Sequence, residues 1–252
     1  MSARKVRAIE RLVALQPTSG REELLSRIMC GEVSFDGELV RDPKALVSAE
    51  SNVLYARDDF VSRGGLKLDH ALGEWDIAVA GKVVLDAGAS TGGFTHALLR
   101  RGAVVVHAVD VGYNQLDYRL RTDGRVVVHE RTNIMAVESL NPQPQFAVMD
   151  LSFRSLRGAA RHTLDLTSER FVIALLKPQF EWQNPPEEFD GCVPDSEVSG
   201  VVDATLDGLR REGLEVRQTV ESPIRGRAGN REFLLWIEAQ EEKASRPSGA
   251  PM

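Results

Sequence analysis

A glycine-rich segment at residues 85–94 is the part of the sequence best suited to holding a ligand. It has the sequence LDAGASTGGF and follows an apolar run typical of a strand. A glycine loop after a first strand brings backbone close to a ligand at the carboxyl ends of a parallel sheet. The spacing G-x-x-x-G-G differs from the dinucleotide pattern G-x-G-x-x-G, and no Gly-Lys-Ser/Thr follows. The loop is therefore poorly matched to a pyrophosphate or a triphosphate.

Two acids at strand ends indicate which ligand the loop would suit. Asp86 follows the apolar run 83–85, and Asp110 follows the run 104–109. An acid in the second position can accept hydrogen bonds from both ribose hydroxyls of an adenosine, and Asp86 adds negative charge beside a cationic ligand. S-adenosylmethionine carries an ammonium and a sulfonium but no phosphate, so we expect it as the cofactor. The alternative is a tight strand-to-helix turn that binds no ligand. The residues predicted to bind the cofactor are Asp86, Gly88, Ser90, Gly92, Gly93, Phe94 and Asp110.

The chain divides into two structured parts and a polar tail. In the first part, Asp36-Gly37 stands between two short β-prone runs and predicts a hairpin after a helix. From residue 60 onward, apolar runs alternate with helical segments, a pattern typical of a parallel sheet that is covered on both faces. The predicted architecture is a small α+β module over 1–59, a doubly wound α/β domain over 60–240, and a disordered tail over 241–252.

Composition and charge exclude some classes of protein. The longest apolar run, 171–176, is too short to span a bilayer, and no apolar signal core follows the N-terminus. We therefore expect a cytoplasmic location without membrane association. The two cysteines, Cys30 and Cys192, do not make a disulfide framework or a metal site.

The formal net charge of −6 argues against a broadly basic nucleic-acid binder. It does not exclude a local basic patch, because steering depends on the local field. One such concentration is formed by Arg154, Arg157, Arg161 and Arg170. These arginines are equally compatible with a solvated helix face.

Several long and unusual segments run across nearly the whole chain, at residues 61–68, 86–95, 109–116, 130–133, 150–153, 176–181, 222–224 and 229–234. Together they resemble the TlyA (haemolysin A) group of rRNA 2′-O-methyltransferases, which have an FtsJ-like methyltransferase domain. The N-terminal helix and hairpin resemble a small RNA-binding fold first described in a ribosomal small-subunit protein.

The resemblance implies a Rossmann-like methyltransferase fold, S-adenosylmethionine as methyl donor, and methylation of a ribose 2′-hydroxyl in ribosomal RNA. It also implies a catalytic Lys-Asp-Lys-Glu tetrad and RNA-binding arginines. We expect no metal site, because no recognised metal-ligand spacing is present. Matched by motif, the tetrad is Lys67, Asp150, Lys177 and Glu232, and the arginines are Arg21, Arg27 and Arg63. Two features depart from the family: residues 151–156 are LSFRSL instead of VSFISL, and the N-terminal module has nearly balanced charge.

The chemistry of a 2′-hydroxyl is compatible with such a tetrad. This hydroxyl is a very weak acid and needs a base as it attacks the methyl group, and a lysine can serve if burial and a second cation favour its neutral form. Lys177 follows a buried strand, and Lys67 would supply the second cation. Asp150 and Glu232 would orient the two amines. Each residue alone also has an ordinary alternative as a strand-end cap, a helix-face lysine or an exposed strand residue.

Three other functions compete with an rRNA methyltransferase. An RNA-binding factor could keep the fold and lose turnover, which the complete tetrad disfavours. A membrane-active haemolysin is disfavoured because no spanning segment is present, and a nicotinamide-dependent oxidoreductase is disfavoured by the glycine spacing. A hydrolase triad built on Ser90 has little support.

Overall fold

The computed structural model describes residues 4–29, 32–55, 60–152 and 154–240. The predicted tail, Cys30 and the end of the predicted N-terminal module lie outside the described residues. The N-terminal elements are β1 (Lys5–Arg7), α1 (Ala8–Leu15), α2 (Arg21–Met29), β2 (Val33–Phe35), β3 (Glu38–Leu39), β4 (Leu46–Ser48) and β5 (Val53–Tyr55).

The remaining elements largely alternate between helix and strand. They are α3 (Gly64–Glu74), β6 (Val83–Ala87), α4 (Gly93–Arg100), β7 (Val105–Val109), α5 (Tyr118–Arg121), β8 (Val126–His129), β9 (Phe146–Met149), α6 (Ala159–Asp165), β10 (Phe171–Leu176), α7 (Pro178–Glu181), α8 (Asp195–Arg211), β11 (Leu214–Glu221) and β12 (Phe233–Ala239). A 3₁₀ turn, Ile134–Ala136, follows β8.

The N-terminal elements pack around a small apolar core. Strand β2 pairs antiparallel with both β3 and β5. The turn between β2 and β3 has positive φ at Asp36 (52°) and Gly37 (86°), as in a type I′ turn, which Asp-Gly tolerates well. The predicted hairpin is confirmed. The core beneath it consists of Ala8, Ile9, Leu12, Leu24, Ile28, Val33 and Phe35.

The largest of the three described sheets has seven strands in the order β11-β12-β10-β9-β6-β7-β8. Strand β12 is antiparallel to both of its neighbours, β10 and β11, so the prediction of a parallel sheet is wrong for this strand. The physical reason is the connection. Residues 222–232 join β11 to β12 without a helix, and a return to a parallel neighbour would need a longer crossover.

Central strands of this sheet send alternate side chains into two apolar layers. On β10, Ile173 and Leu175 face the layer that includes α3 and α4, whereas Val172 and Ala174 face the layer that includes α6 and α8. Both layers are made of buried residues. The α/β fold with a doubly wound, Rossmann-like sheet is thereby confirmed.

The order in which successive strands are added to the sheet reverses at β6. The chain continues from β6 to β7 on one side and later returns to β9 on the other side, and α/β sheets bind ligands in the crevice at such a point. Gly88 follows β6 and has φ +89°, and a Cβ there would lie 2.4 Å from the carbonyl oxygen of Asp150, which follows β9. Position 88 therefore requires glycine.

Candidate functional site

Two adjoining cavities open at the carboxyl ends of the central strands. The larger one, of about 810 Å³, we call the lysine cavity; its walls include Arg63, Lys67, Phe94, Lys177 and Glu232. The smaller one, of about 500 Å³, we call the glycine-loop cavity; its walls include Asp110, Gly112, Thr132, Asn133 and Arg154. Four residues line both cavities: Gly88, Ser90, Asp150 and Ser152.

Asp110 is held in the wall of the glycine-loop cavity by two backbone N–H groups. Ser90 N donates to its Oδ2 at 2.9 Å, and Gly112 N donates to its Oδ1 at 2.6 Å. A carboxylate can accept about four hydrogen bonds, so both oxygens keep capacity for a ligand. The structure therefore brings Gly88, Ser90 and Asp110 together around one cavity, as the sequence predicted.

Other wall residues of this cavity had no role assigned from the sequence. Thr132 and Asn133 follow β8, and Thr132 N donates to the carbonyl of Asp110 at 2.9 Å. Asn133 Oδ1 accepts from Met135 N at 3.0 Å and so starts the 3₁₀ turn. The sequence did contain a signal for these two residues, because residues 130–133 are one of the segments that resemble the family. Their place after the third strand of a doubly wound sheet is where a further ligand contact is expected.

The later residues of the glycine loop lie elsewhere. Gly93 and Phe94 line the lysine cavity. Gly92 has φ +95°, and a Cβ there would lie 2.2 Å from Leu120 Cδ1. It is not among the wall residues of either cavity, so its requirement for glycine comes from packing against α5.

Asp86 lies beneath the loop and lines neither cavity. It is fully buried, and Thr95 Oγ1 donates to its Oδ2 at 2.6 Å. Among the described residues, Oδ1 has no hydrogen-bond partner. Burial, with smaller contributions from the carboxylates of Asp150 and Asp110, raises the pKa of Asp86 to about 7. Its contact with a cofactor stays a prediction.

The stability of the protein should therefore depend on pH through Asp86. Between pH 3.8 and about 7, the folded state keeps the Asp86 proton while the unfolded state releases it. The free energy of unfolding should fall as pH rises through this window. Asp86→Asn cannot ionise and should remove that fall. Thermal unfolding of both proteins across the window checks this, with the exposed Asp207→Asn as control. Parallel pH profiles in the parent and Asp86→Asn would contradict the assignment.

The four predicted catalytic residues surround the lysine cavity as two ion pairs. Lys67 pairs with Glu232, and both are buried. Lys177 Nζ lies 2.6 Å from Asp150 Oδ1 and donates to Ser152 Oγ at 3.3 Å. The structure thus brings together four side chains that are far apart in the sequence, and it adds Ser152, which the sequence did not single out.

The sheet register explains why these side chains meet. Asp150 and Lys177 directly follow β9 and β10, which are parallel neighbours. On β10 and β12, Leu176 lies opposite Phe233. Because β12 is antiparallel, Glu232 at its start stands at the same sheet edge as Lys177. Lys67, in the first turn of α3, is the fourth member of the group.

The predicted RNA-binding arginines do not cluster at one place. Arg63 lines the lysine cavity, and its guanidinium lies 2.7 Å from the carboxylate of Glu32. Arg21 is exposed at the start of α2, and Arg27 lies in its last turn; neither is a wall residue of the two cavities. Arg63 therefore connects the N-terminal elements to the lysine cavity.

The possible basic patch around residues 154–170 is divided. Arg154 lines the glycine-loop cavity. Arg161 and Arg170 both form ion pairs with Asp165 on exposed surface, which agrees with the solvated-face alternative.

In the parts of the chain that the structure describes, no group of His, Cys, Asp and Glu could hold a metal ion. None of the helices in the described ranges has the length and apolar character needed to cross a membrane.

Comparison with known proteins shows which family and which relatives the chain resembles. The model of the FtsJ-like methyltransferase family matches residues 60–239. A curated relative from Mycobacterium tuberculosis, the 16S/23S rRNA (cytidine-2'-O)-methyltransferase TlyA, is 37% identical and covers 98% of this chain and 95% of its own. Hemolysin A of Brachyspira hyodysenteriae is 36% identical over 86% of this chain and 93% of its own. A solved structure from Streptococcus thermophilus, described as a candidate hemolysin, has a TM-score of 0.68 at 33% identity and covers 95% of this chain and 90% of its own.

Proposed function

The chain belongs to the FtsJ-like methyltransferase family, and from that premise we propose that it transfers a methyl group from S-adenosylmethionine to a ribose 2′-hydroxyl of ribosomal RNA. One observation carries the proposal: two lysine–carboxylate pairs line a cavity that shares four wall residues with the glycine-loop cavity. A donor in one cavity and a hydroxyl in the other would meet at the shared wall. Because the Mycobacterium relative is named for cytidine in 16S and 23S rRNA, a cytidine ribose is the proposed target.

The glycine-loop cavity suits a cationic donor that has no phosphate. Its walls carry the carboxylates of Asp110 and Asp150 beside a single arginine, Arg154. A Cβ on Gly112 would lie 2.9 Å from Asp110 Oδ1, so the backbone there passes close to the acid. S-adenosylmethionine, when bound, supplies an electrophilic methyl group on a positively charged sulfur. Ser90 and Asp110 are the residues we propose to hold its adenosine.

Lys177 is the proposed general base. In its neutral form, Nζ would accept the proton that the 2′-hydroxyl loses while its oxygen bonds to the methyl carbon. Asp150 Oδ1 forms an ion pair with Nζ, and Ser152 Oγ accepts a hydrogen bond from it, so both hold Nζ in place. Lys67, paired with Glu232, would stabilise the negative charge that develops on the ribose oxygen.

Removing the carboxylate of Asp110 from the glycine-loop cavity should weaken donor binding. Asp110→Ala should cost about 1.5–3 kcal/mol in binding free energy, because a charged acceptor for the ribose hydroxyls is lost. Titration calorimetry with S-adenosylmethionine measures this directly, and Asp207→Ala on the exposed face of α8 is the matched control. Unchanged affinity in Asp110→Ala would show that the ribose does not lie there.

Residues 1–59 form the proposed RNA-binding module, and residues 60–240 the proposed catalytic domain. Arg21, Arg27 and Arg63 are the arginines we propose to contact RNA. Arg21→Gln should weaken RNA binding for all sequences alike and lower the slope of log affinity against log salt by roughly 0.7–0.9, because one phosphate contact is lost. Filter binding at several salt concentrations tests this, with Arg210→Gln as control. An unchanged salt slope would remove Arg21 from the interface.

The direct test of the function uses labelled S-adenosylmethionine and ribosomal subunits from cells that lack this protein. Small and large subunits are offered separately, and the labelled nucleotide is mapped by mass spectrometry. A 2′-O-methylated ribose is the expected product. Donor and RNA binding without any transfer would favour the alternative of an RNA-binding factor that has no turnover.

A further inference from the structure

Glu181 is a buried acid close to the lysine cavity, but it is not one of the wall residues of that cavity or of the glycine-loop cavity. It is the last residue of α7, the short helix that begins directly after Lys177. Burial raises the pKa of Glu181, and the charged groups that act on it are Arg157 and Glu212. Neither the proposed transfer chemistry nor cofactor binding uses this residue.

Both carboxylate oxygens of Glu181 are engaged by the segment that follows β9. Leu156 N donates to Oε1 at 2.6 Å, and Ser155 Oγ donates to Oε2 at 2.7 Å. The Leu156 side chain is buried in the apolar layer on one face of the sheet. Glu181 therefore fixes the middle of this segment against the corner between β10 and α7.

The same segment carries residues that form the site. Asp150 and Ser152, at its beginning, contact Lys177 Nζ, and Arg154 lines the glycine-loop cavity. The segment is thus held to one corner of the fold at two points, once through Lys177 and once through Glu181. Among the hydrogen bonds of the described residues, those to Glu181 lie nearer in the sequence to Ser152 than the bond from Gly158 N to Glu212 does.

We propose that Glu181 is a positioning residue, which sets the geometry of Lys177 with Asp150 and Ser152 by anchoring Ser155 and Leu156. The inference rests on the proposed methyl transfer with Lys177 as base. A carboxylate accepts on both oxygens, and its negative charge strengthens both hydrogen bonds. Glu181→Gln keeps the shape of the side chain but makes both bonds neutral, and the Ser155 hydroxyl then has to accept from the amide instead of donating to it.

The test compares Glu181→Gln with Glu212→Gln in the full chain. Glu212 is the matched control, because its carboxylate accepts from Gly158 N at 2.8 Å at the far end of the same segment. Single-turnover transfer with labelled donor and ribosomal subunits should fall about 10–100-fold in Glu181→Gln, as expected when a reacting group is misplaced by about 1 Å. The control should retain the parental rate.

A double variant separates positioning of Lys177 from general loosening. If Glu181 acts through Lys177, Glu181→Gln should lower the residual rate little further in a Lys177→Ala background, because the group that it positions is already absent. Ser155→Ala removes one of the two bonds and should have a smaller effect, which adds little in the Glu181→Gln background. A full additional loss of rate in the Lys177→Ala background, or equal effects of Glu181→Gln and Glu212→Gln, would overturn the proposal.

Hydrogen exchange provides a readout that does not depend on transfer. The peptide that covers residues 151–158 should exchange faster in Glu181→Gln than in the parent or in Glu212→Gln. Unchanged exchange would overturn the anchor. An inactive parent with the expected exchange difference would instead contradict the proposed function and leave the anchor standing.

Discussion

Replacing Lys177 by alanine should lower the single-turnover rate of methyl transfer by about 10²–10⁴-fold, the usual contribution of a general base, while donor binding stays nearly unchanged. The reason is the position of its Nζ at the end of β10, between Asp150 Oδ1 at 2.6 Å and Ser152 Oγ at 3.3 Å. Rapid-quench measurements at saturating RNA give the rate, and calorimetry gives the donor affinity. Lys82→Ala is the matched control, since Lys82 pairs with Glu169 on another part of the surface.

Lys177→Arg distinguishes a base from a simple phosphate contact. A guanidinium remains protonated near neutral pH and cannot accept the hydroxyl proton, so the arginine variant should be as slow as the alanine variant. A near-parental single-turnover rate in Lys177→Arg, with a defect confined to salt-dependent RNA affinity, would rule out the general-base role.

The Lys67–Glu232 pair should have the largest effect on stability. Lys67→Met leaves the Glu232 carboxylate, which is 3% exposed, without its charged partner. Breaking a buried pair by removing one member typically costs about 3–5 kcal/mol, whereas replacing both members by apolar side chains is often close to neutral. Lys67→Met combined with Glu232→Leu should therefore recover most of the lost stability but not methyl transfer.

Urea unfolding of the parent, the two single variants and the double variant measures the stability of each. Single-turnover assays under conditions where all four proteins are folded measure transfer. A double variant with parental transfer would show that the pair only supports the fold. Single variants as stable as the parent would show that solvent replaces the missing partner.

Local sequence patterns predicted those parts of the structure that depend on neighbouring residues. The Asp36-Gly37 turn is one example, because two positive φ values in succession restrict which residues can stand there. The strands from β6 to β10 are another, because continuous apolar runs between helices can be buried only in a covered sheet. Asp110 and the glycine at 88 followed from their places directly after two such strands.

Features that depend on distant contacts could not be predicted in the same way. The direction of β12 follows from the short connection 222–232, but its length and its lack of a helix are known only once the ends of β11 and β12 are known. Asp86 was expected beside a ligand because it ends a strand, but its side chain points into the layer where Thr95 meets it. Glu181 is an ordinary acid in the sequence, and only the fold brings Ser155 and Leu156 to it.

The two cavities share a wall formed by Gly88, Ser90, Asp150 and Ser152. We therefore expect the two substrates to bind cooperatively. A ligand that orders these residues in one cavity also prepares them for the other, so the second substrate loses less conformational entropy when it binds. Thermodynamic linkage requires that the donor raise the affinity for RNA by the same factor by which RNA raises the affinity for the donor. Methyl transfer removes the charge from the donor's sulfur. The same linkage then allows each product to weaken the binding of the other.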